Sequence, residues 1–160
     1  MSGKRREILA TNEVYHVFNR AVGNEDILTG KINLRRALEL TNYYRFPQKL
    51  SYSKFKKLLK TEEQLRYMED VKSLPALVEI FTFSFMPDHF HFLLRQKVDS
   101  GIRVFISNFQ NAFAKFFNTK NERNGSLFQK PFKSKRIVSD EILTHVSRYI
   151  HLNPVTSYLI

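Results

Sequence analysis

Two histidines one residue apart are the side chains in this 160-residue sequence whose type and spacing first suggest chemistry. His89 and His91 lie within FTFSFMPDHFHFLLR, residues 81 to 95. Side chains i and i+2 leave a β-strand on the same face, with Cβ atoms on the order of 7 Å apart. Two imidazoles so placed can converge on one divalent ion if a third ligand joins them; they equally suit a polar sheet face with no ligand. Tyr149 and Asn153 form a second pair. Four residues apart on a helix, they share a face and offer a phenol and an amide oxygen, although Tyr149 alone also suits a core position. His16 adds a third imidazole, by type a ligand and by setting equally a core or supporting histidine. The sequence has no cysteine, which excludes disulfides, thiolate metal sites and thiol nucleophiles. Any metal must therefore be held by His, carboxylate or amide oxygen.

The elements that must position these groups are readable from hydrophobic period. Phe81, Phe83 and Phe85 alternate with Thr82 and Ser84, and Phe90, Phe92 and Leu94 alternate with His89, His91 and Leu93. That pattern predicts two strands joined at Met86-Pro87-Asp88. EVYHVFNR, residues 13 to 20, predicts a first strand buried on both faces. Lys31 to Phe46 has helical spacing through Leu34, Ala37 and Leu38 and ends before Pro47. Residues 48 to 78 predict a helical insertion: a short amphipathic turn around Phe55, Leu58 and Leu59, then a helix opened by a capping box at Thr61-Glu62-Glu63-Gln64 and running to about Val71. From Gly101, the residues Ile102, Phe105, Ile106, Phe109, Ala112, Phe113, Phe116 and Phe117 follow the i, i+3, i+4 rule of a core-facing helix. Leu127 to Val138 reads as a loop and a short strand. The final helix begins at Ser139-Asp140, turns the face of Ile142, Val146, Tyr149 and Asn153 to the sheet, and stops at Pro154. This order fits an α+β, ferredoxin-like (RRM-like) antiparallel sheet with helices packed on it, plus a C-terminal helix carrying the tyrosine. By length it is a single domain, residues 1 to 160.

Charge narrows the partner. The net charge is +11, but residues 31 to 60 carry nine Lys/Arg against Glu39 alone, and residues 101 to 138 carry eight against Glu122 alone. Those two segments exceed the whole excess, so the basicity is local, the footprint expected for a polyanion or, more blandly, a solvated face. The helix face opposite the phenylalanines offers Arg103, Asn108, Asn111 and Lys115, and Lys130, Lys133, Lys135 and Arg136 interleave with aromatics, which suits single-stranded nucleic acid. Arg20, Arg35 and Arg36 complete the candidate DNA contacts. No apolar run approaches a membrane span, so no membrane partner is expected and the cytoplasm is the expected compartment.

Three segments carry a family resemblance. HFH after MPD, the run FFNTKNERNGSLFQKPFKS, and YIHLNPV resemble the single-tyrosine HUH transposases of the IS200-like family, in the REP-associated tyrosine transposase branch. The likeness extends from YHVFNR at 15 to 20 through YIHLNPV at 149 to 155, apart from the insertion. It implies that His89, His91 and Asn153 bind Mg²⁺ or Mn²⁺, and that Tyr149 is the nucleophile. It implies nicking and joining of single-stranded, hairpin-bearing DNA through a 5′-phosphotyrosine, in association with the nucleoid, and it leaves open a homodimer. The family segment close to GxLFxGRFKS reads GSLFQKPFKS here, with Lys130 and Pro131 where Gly and Arg are usual, so Lys130 and Lys133 are expected to supply the charge of the absent arginine.

The residue types agree with that reaction. A free tyrosine titrates near ~10, so a phenol needs help as a nucleophile at neutral pH. A divalent ion that counters charge on the phosphodiester, and a helix that holds the phenol in line, supply it. Two other classes fit the same residues. One is a module that binds single-stranded nucleic acid without cleaving it, which predicts aromatics on the open sheet face. The other is a metal phosphodiesterase using water, which forms no covalent adduct.

Overall fold

The phenylalanines organise both layers of the protein. In the computed structural model, which describes the backbone of residues 7–159 and the side chains of residues 7–153, strand β1 (Val14–Arg20) is followed by helix α1 (Gly30–Tyr44). Helices α2 (Tyr52–Leu58) and α3 (Thr61–Lys72) lead to β2 (Val78–Met86) and β3 (His89–Gln96). Helix α4 (Gly101–Lys120), strand β4 (Lys133–Arg136) and helix α5 (Asp140–Leu159) complete the order. The strands form one antiparallel sheet in the order β2-β3-β1-β4. This is the ferredoxin-like α+β arrangement predicted from the element order.

Strand period decides which face receives which helix. On β3 the even positions Phe90, Phe92 and Leu94 are fully buried with Tyr15 and Val17 of β1 against Ile102, Phe105, Phe109 and Phe113 of α4. Phe109 is the hub: its ring lies 5.3 Å from Phe90, 5.5 Å from Phe92 and 6.1 Å from Phe85 between centroids. The odd positions His89, His91 and Leu93 point to the opposite face, where α5 lies against β2 and β3. Gly101 opens α4 at a point where a Cβ would overlap the Leu77 carbonyl, so only glycine fits this approach of helix to strand.

The helices at 48 to 78 join the main hydrophobic core through Tyr52 and Phe55. Tyr52 and Phe55 pack with Tyr43 at ring-centroid distances of 5.2 and 5.1 Å, and the Tyr67 hydroxyl accepts the N–H groups of Lys49 and Leu50. The insertion is thus riveted to the end of α1. Its second helix begins at Thr61 as the sequence predicts, but the backward bond of the cap runs from the Lys60 N–H to Glu63, one residue earlier than the Thr61–Gln64 frame.

Three expectations about faces and ends are corrected. On α1 Leu38 is exposed, while Asn33, Ala37, Leu40 and Thr41 turn inward. Asn33 tolerates burial because it donates to the Ile27 carbonyl and accepts from the Lys120 ammonium. On α5 the buried residue is Ile150, with Leu143 and Val146 half-buried, whereas Ile142 is exposed. The helix is therefore rotated from the predicted face, and Tyr149 stands at its edge. Finally, α5 continues past Pro154 to Leu159. A proline inside a helix removes one backbone donor and bends the chain without necessarily ending it. Among the described residues no helix is long and apolar enough to cross a membrane.

Candidate active site

The sheet's second face becomes a site through the short connection Pro87-Asp88 between β2 and β3. Because Met86 pairs with His89 and Ser84 with His91, both histidines lie on the α5 side of the sheet. Phe18 sits directly opposite His91 on β1, with His16 one step along the same face. A cavity of about 560 Å³ opens here, lined by Phe18, Asn19, Arg20, Asn24, His89, His91, Gln129, Lys133 and Tyr149. The Tyr149 ring stands nearly perpendicular to that of His91, 5.8 Å away between centroids. Nucleophile candidate and histidine pair thus meet within one chain.

Each histidine has its Nδ1 engaged from outside. Asp88 Oδ1 lies 2.6 Å from His89 Nδ1, and His16 Nε2 lies 2.9 Å from His91 Nδ1. The two rings are perpendicular, with centroids 5.0 Å apart. His91 Nε2 is buried and, among the described residues, has no hydrogen-bond partner. An orphaned buried polar atom costs about 1–3 kcal/mol and is rare in a native fold, so this nitrogen points to a ligand. Imidazoles held by an outer partner at one nitrogen and open at the other are what divalent-metal sites use.

The electrostatics favour the same use. Burial, then the charges of His16, His89 and Arg20, lower His91 to about 3. Burial, then Lys135, lowers His16 to about 4. Both rings are neutral at physiological pH, the form that ligates a metal. Burial pulls the Asp88 carboxyl upward, but the hydrogen bond and charge of His89, with Arg20, outweigh it and hold the group below its ordinary range. Asp88 is therefore a carboxylate beside His89.

The third expected ligand is placed less directly. Asn153 is half-buried on α5, four residues and about 6 Å along the axis beyond Tyr149. It is not among the described residues that line the cavity. Among the described residues no group of three His, Cys, Asp or Glu side chains is placed to hold a metal ion.

The loop that carries the basic segment is stitched to the end of β1. Gln129 N–H donates to the Arg20 carbonyl, Val22 N–H to the Leu127 carbonyl, and the Asn19 amide to Gln129 O and Gln110 Oε1. In the β1–β4 register Lys133 faces Phe18 and Lys135 faces His16, which puts both lysines on the histidine face. Arg136 turns to the other face and pairs with Glu13 at 3.0 Å. Lys130 is exposed in the loop before β4.

The remaining candidate DNA contacts lie elsewhere. Arg36, Asn108, Asn111 and Lys115 line a groove of about 510 Å³ between α1, α2 and α4, in the layer across the sheet from the histidines. Lys57 and Lys120 join them there, and the Arg36 guanidinium lies over Phe116 at 4.4 Å. Arg35 and Arg103 are exposed and line neither cavity. Sequence reasoning missed Asp88, read only as turn chemistry, although an acid immediately before an HxH strand was the available signal. Gln129 and Asn24 carried none.

The sequence model of the IS200-like transposase family matches residues 49–153, a span that includes α2 and α3. No curated protein sequence matches the chain. Among solved structures, a REP-associated tyrosine transposase bound to a REP hairpin is similar at a TM-score of 0.60 and 15% identity, covering 100% of this chain and 76% of that one. A protein from Deinococcus radiodurans is similar at a TM-score of 0.49 and 14% identity, over 93% of this chain and 96% of that one.

Proposed function

The chain belongs to the IS200-like transposase family, and on that premise we propose that it nicks and rejoins single-stranded DNA through a 5′-phosphotyrosine on Tyr149. His89, His91 and Asn153 would hold Mg²⁺ or Mn²⁺, which when bound counters negative charge on the phosphodiester oxygens. The observation that carries the reading is the Tyr149 ring 5.8 Å from that of His91, both lining one cavity, with the buried His91 Nε2 left without a hydrogen-bond partner among the described residues. Two neutral imidazoles and an amide bring no charge to the ion, so Mn²⁺ should bind more tightly than Mg²⁺.

The chain's own groups divide the work. The Tyr149 oxygen attacks phosphorus and the bond from phosphorus to the 3′ oxygen breaks. The phenol loses one proton and the departing 3′ oxygen gains one. The products are a 5′-phosphotyrosine and a free 3′-hydroxyl, and attack by a 3′-hydroxyl reverses the step without ATP. Arg20 and Lys133, both lining the cavity, offer cationic donors to phosphate oxygens. Helix α5, seated on the sheet, fixes the phenol and so reduces the entropy lost in alignment. The solved relative of this fold is bound to a REP hairpin, and the substrate proposed here is likewise a single strand beside a hairpin, met in the cytoplasm at the nucleoid.

The test is a labelled single-stranded hairpin oligonucleotide incubated with Mn²⁺ and resolved on a denaturing gel. Wild-type protein gives a protein-linked band; Tyr149→Phe gives none while binding the hairpin nearly as well. A linked band from Tyr149→Phe refutes the nucleophile. Cleavage without any linked band favours the water-using phosphodiesterase, and binding without cleavage the passive module.

A further inference from the structure

We infer that His16 is a positioning residue: by accepting the Nδ1 proton of His91, it fixes the tautomer in which the buried Nε2 of His91 is unprotonated. This rests on the metal reading above, and concerns how one ligand is prepared for it. A neutral imidazole has one N–H and one lone pair, and the 2.9 Å contact between His16 Nε2 and His91 Nδ1 contains one shared proton. If His16 donated it, His91 would carry its own proton on Nε2. That N–H would then be buried without an acceptor among the described residues. Orphaned buried N–H groups are rarer than under-satisfied acceptors, so the opposite arrangement is favoured. With His91 donating, its Nε2 holds a lone pair suited to a cation.

The sheet explains why the partner is an imidazole at position 16. Phe18 pairs directly with His91, so the residue two positions earlier on the same face of β1 is diagonal to it, within reach of a long side chain. The rings of Phe18 and His91 both adjoin that position, with centroids 4.8 and 5.1 Å from His16 and 5.9 Å from each other. The two ligand histidines also differ in depth. His89 is the more open and takes a carboxylate, Asp88, as its outer partner. His91 is only 6% exposed, and a carboxylate beside it would lose its hydration. A neutral acceptor orients the ring at that depth without burying a charge.

Two substitutions separate orientation from packing. His16→Gln keeps an acceptor oxygen at about the reach of Nε2; His16→Phe keeps the ring and its stacking but no acceptor. Long-range ¹H–¹⁵N spectra of the metal-free protein read the tautomer directly. The expected result is an Nδ1–H His91 in wild type and His16→Gln, and a mixed or Nε2–H ring in His16→Phe. Electron paramagnetic resonance of free Mn²⁺ reads affinity, expected to fall 10–100-fold in His16→Phe and to stay within about threefold of wild type in His16→Gln. An Nε2–H His91 in the wild-type metal-free protein overturns the inference, as does unchanged Mn²⁺ binding by His16→Phe. Wild-type protein with an Nδ1–H His91 that binds no Mn²⁺ sinks the metal reading itself, and the role of His16 with it.

Discussion

Replacing Asp88 tests whether the carboxylate holds a ligand or merely shapes a turn. Its Oδ1 lies 2.6 Å from His89 Nδ1, and its Oδ2 is 3.8 Å from the half-exposed Arg20, a long contact that contributes little. Its backbone carbonyl separately receives the Ala21 N–H at 2.8 Å, a bond that side-chain replacement leaves in place. Asp88→Asn keeps an oxygen acceptor in the same position but removes its charge. Hydrogen bonds to charged groups contribute about 1.5–3 kcal/mol against about 1 for neutral ones, so the difference is about 1 kcal/mol. That is about fivefold in Mn²⁺ affinity. Asp88→Ala leaves Nδ1 without a partner and frees the ring, for an expected loss of about 10–100-fold. With the backbone bond kept, the melting temperature should fall by no more than about 12 °C in Asp88→Ala, the most that losing this one hydrogen bond accounts for, and by less in Asp88→Asn. Mn²⁺ titration followed by paramagnetic resonance, with thermal melts on the same samples, measures both. If Asp88→Ala binds Mn²⁺ as tightly as wild type, the carboxylate does not hold His89. If Asn is as damaging as Ala, the charge matters more than the position.

Other parts of the molecule give further expected outcomes. His91→Ala should abolish cleavage with either metal, while wild-type activity rises when Mn²⁺ replaces Mg²⁺; equal activity with both would count against an uncharged ligand set. Charge reversal at Lys133 and Lys135 should flatten the plot of log K against log salt by roughly 1.4, two contacts at about 0.7 each for a single strand. An unchanged slope moves the footprint to the groove of Arg36, Lys57 and Lys115. Phe109→Ala, at the centre of five ring contacts, should cost about 3–5 kcal/mol in urea unfolding, and less than 1 would mean the core has other support. Since burial holds His16 near 4 and His91 near 3, the unfolded metal-free chain takes up protons that the folded chain refuses below the ordinary value of 6.5. Its stability should therefore fall as pH drops from 6.5 towards 4 and be insensitive to these groups above it; a urea midpoint equal at pH 7 and pH 5 would refute this.

Much of this arrangement was legible because strand and helix periods are strong signals. The alternation through Phe81 to Arg95 placed both histidines on one face, and the unbroken phenylalanine register of α4 assigned the other face to the core. The errors arose where one polar residue changes sides. Asn33 turns inward on α1 because Ile27 and Lys120 satisfy it, partners too remote in sequence to foresee. On α5 the apolar residues are spread around the helix, and only contact with the sheet selects Ile150 over Ile142. Asp88 and His16 were visible as residue types. Their roles depend on which ring nitrogen each one meets, and that is set by rotamers and strand register.

Strand β4 closes one side of the sheet with only four residues, three of them cationic, Lys133, Lys135 and Arg136. An outermost strand offers unpaired backbone groups to any other chain, and brevity with lysine is how soluble sheets discourage such pairing. The charges proposed to meet DNA thus also guard the protein against joining itself edge to edge. Neutralising them would weaken both roles together, so weak DNA binding by Lys133→Ala/Lys135→Ala does not by itself distinguish lost contacts from aggregation. Reversal to glutamate keeps the border charged while inverting its appeal to phosphate, which makes it the cleaner way to ask what those lysines do.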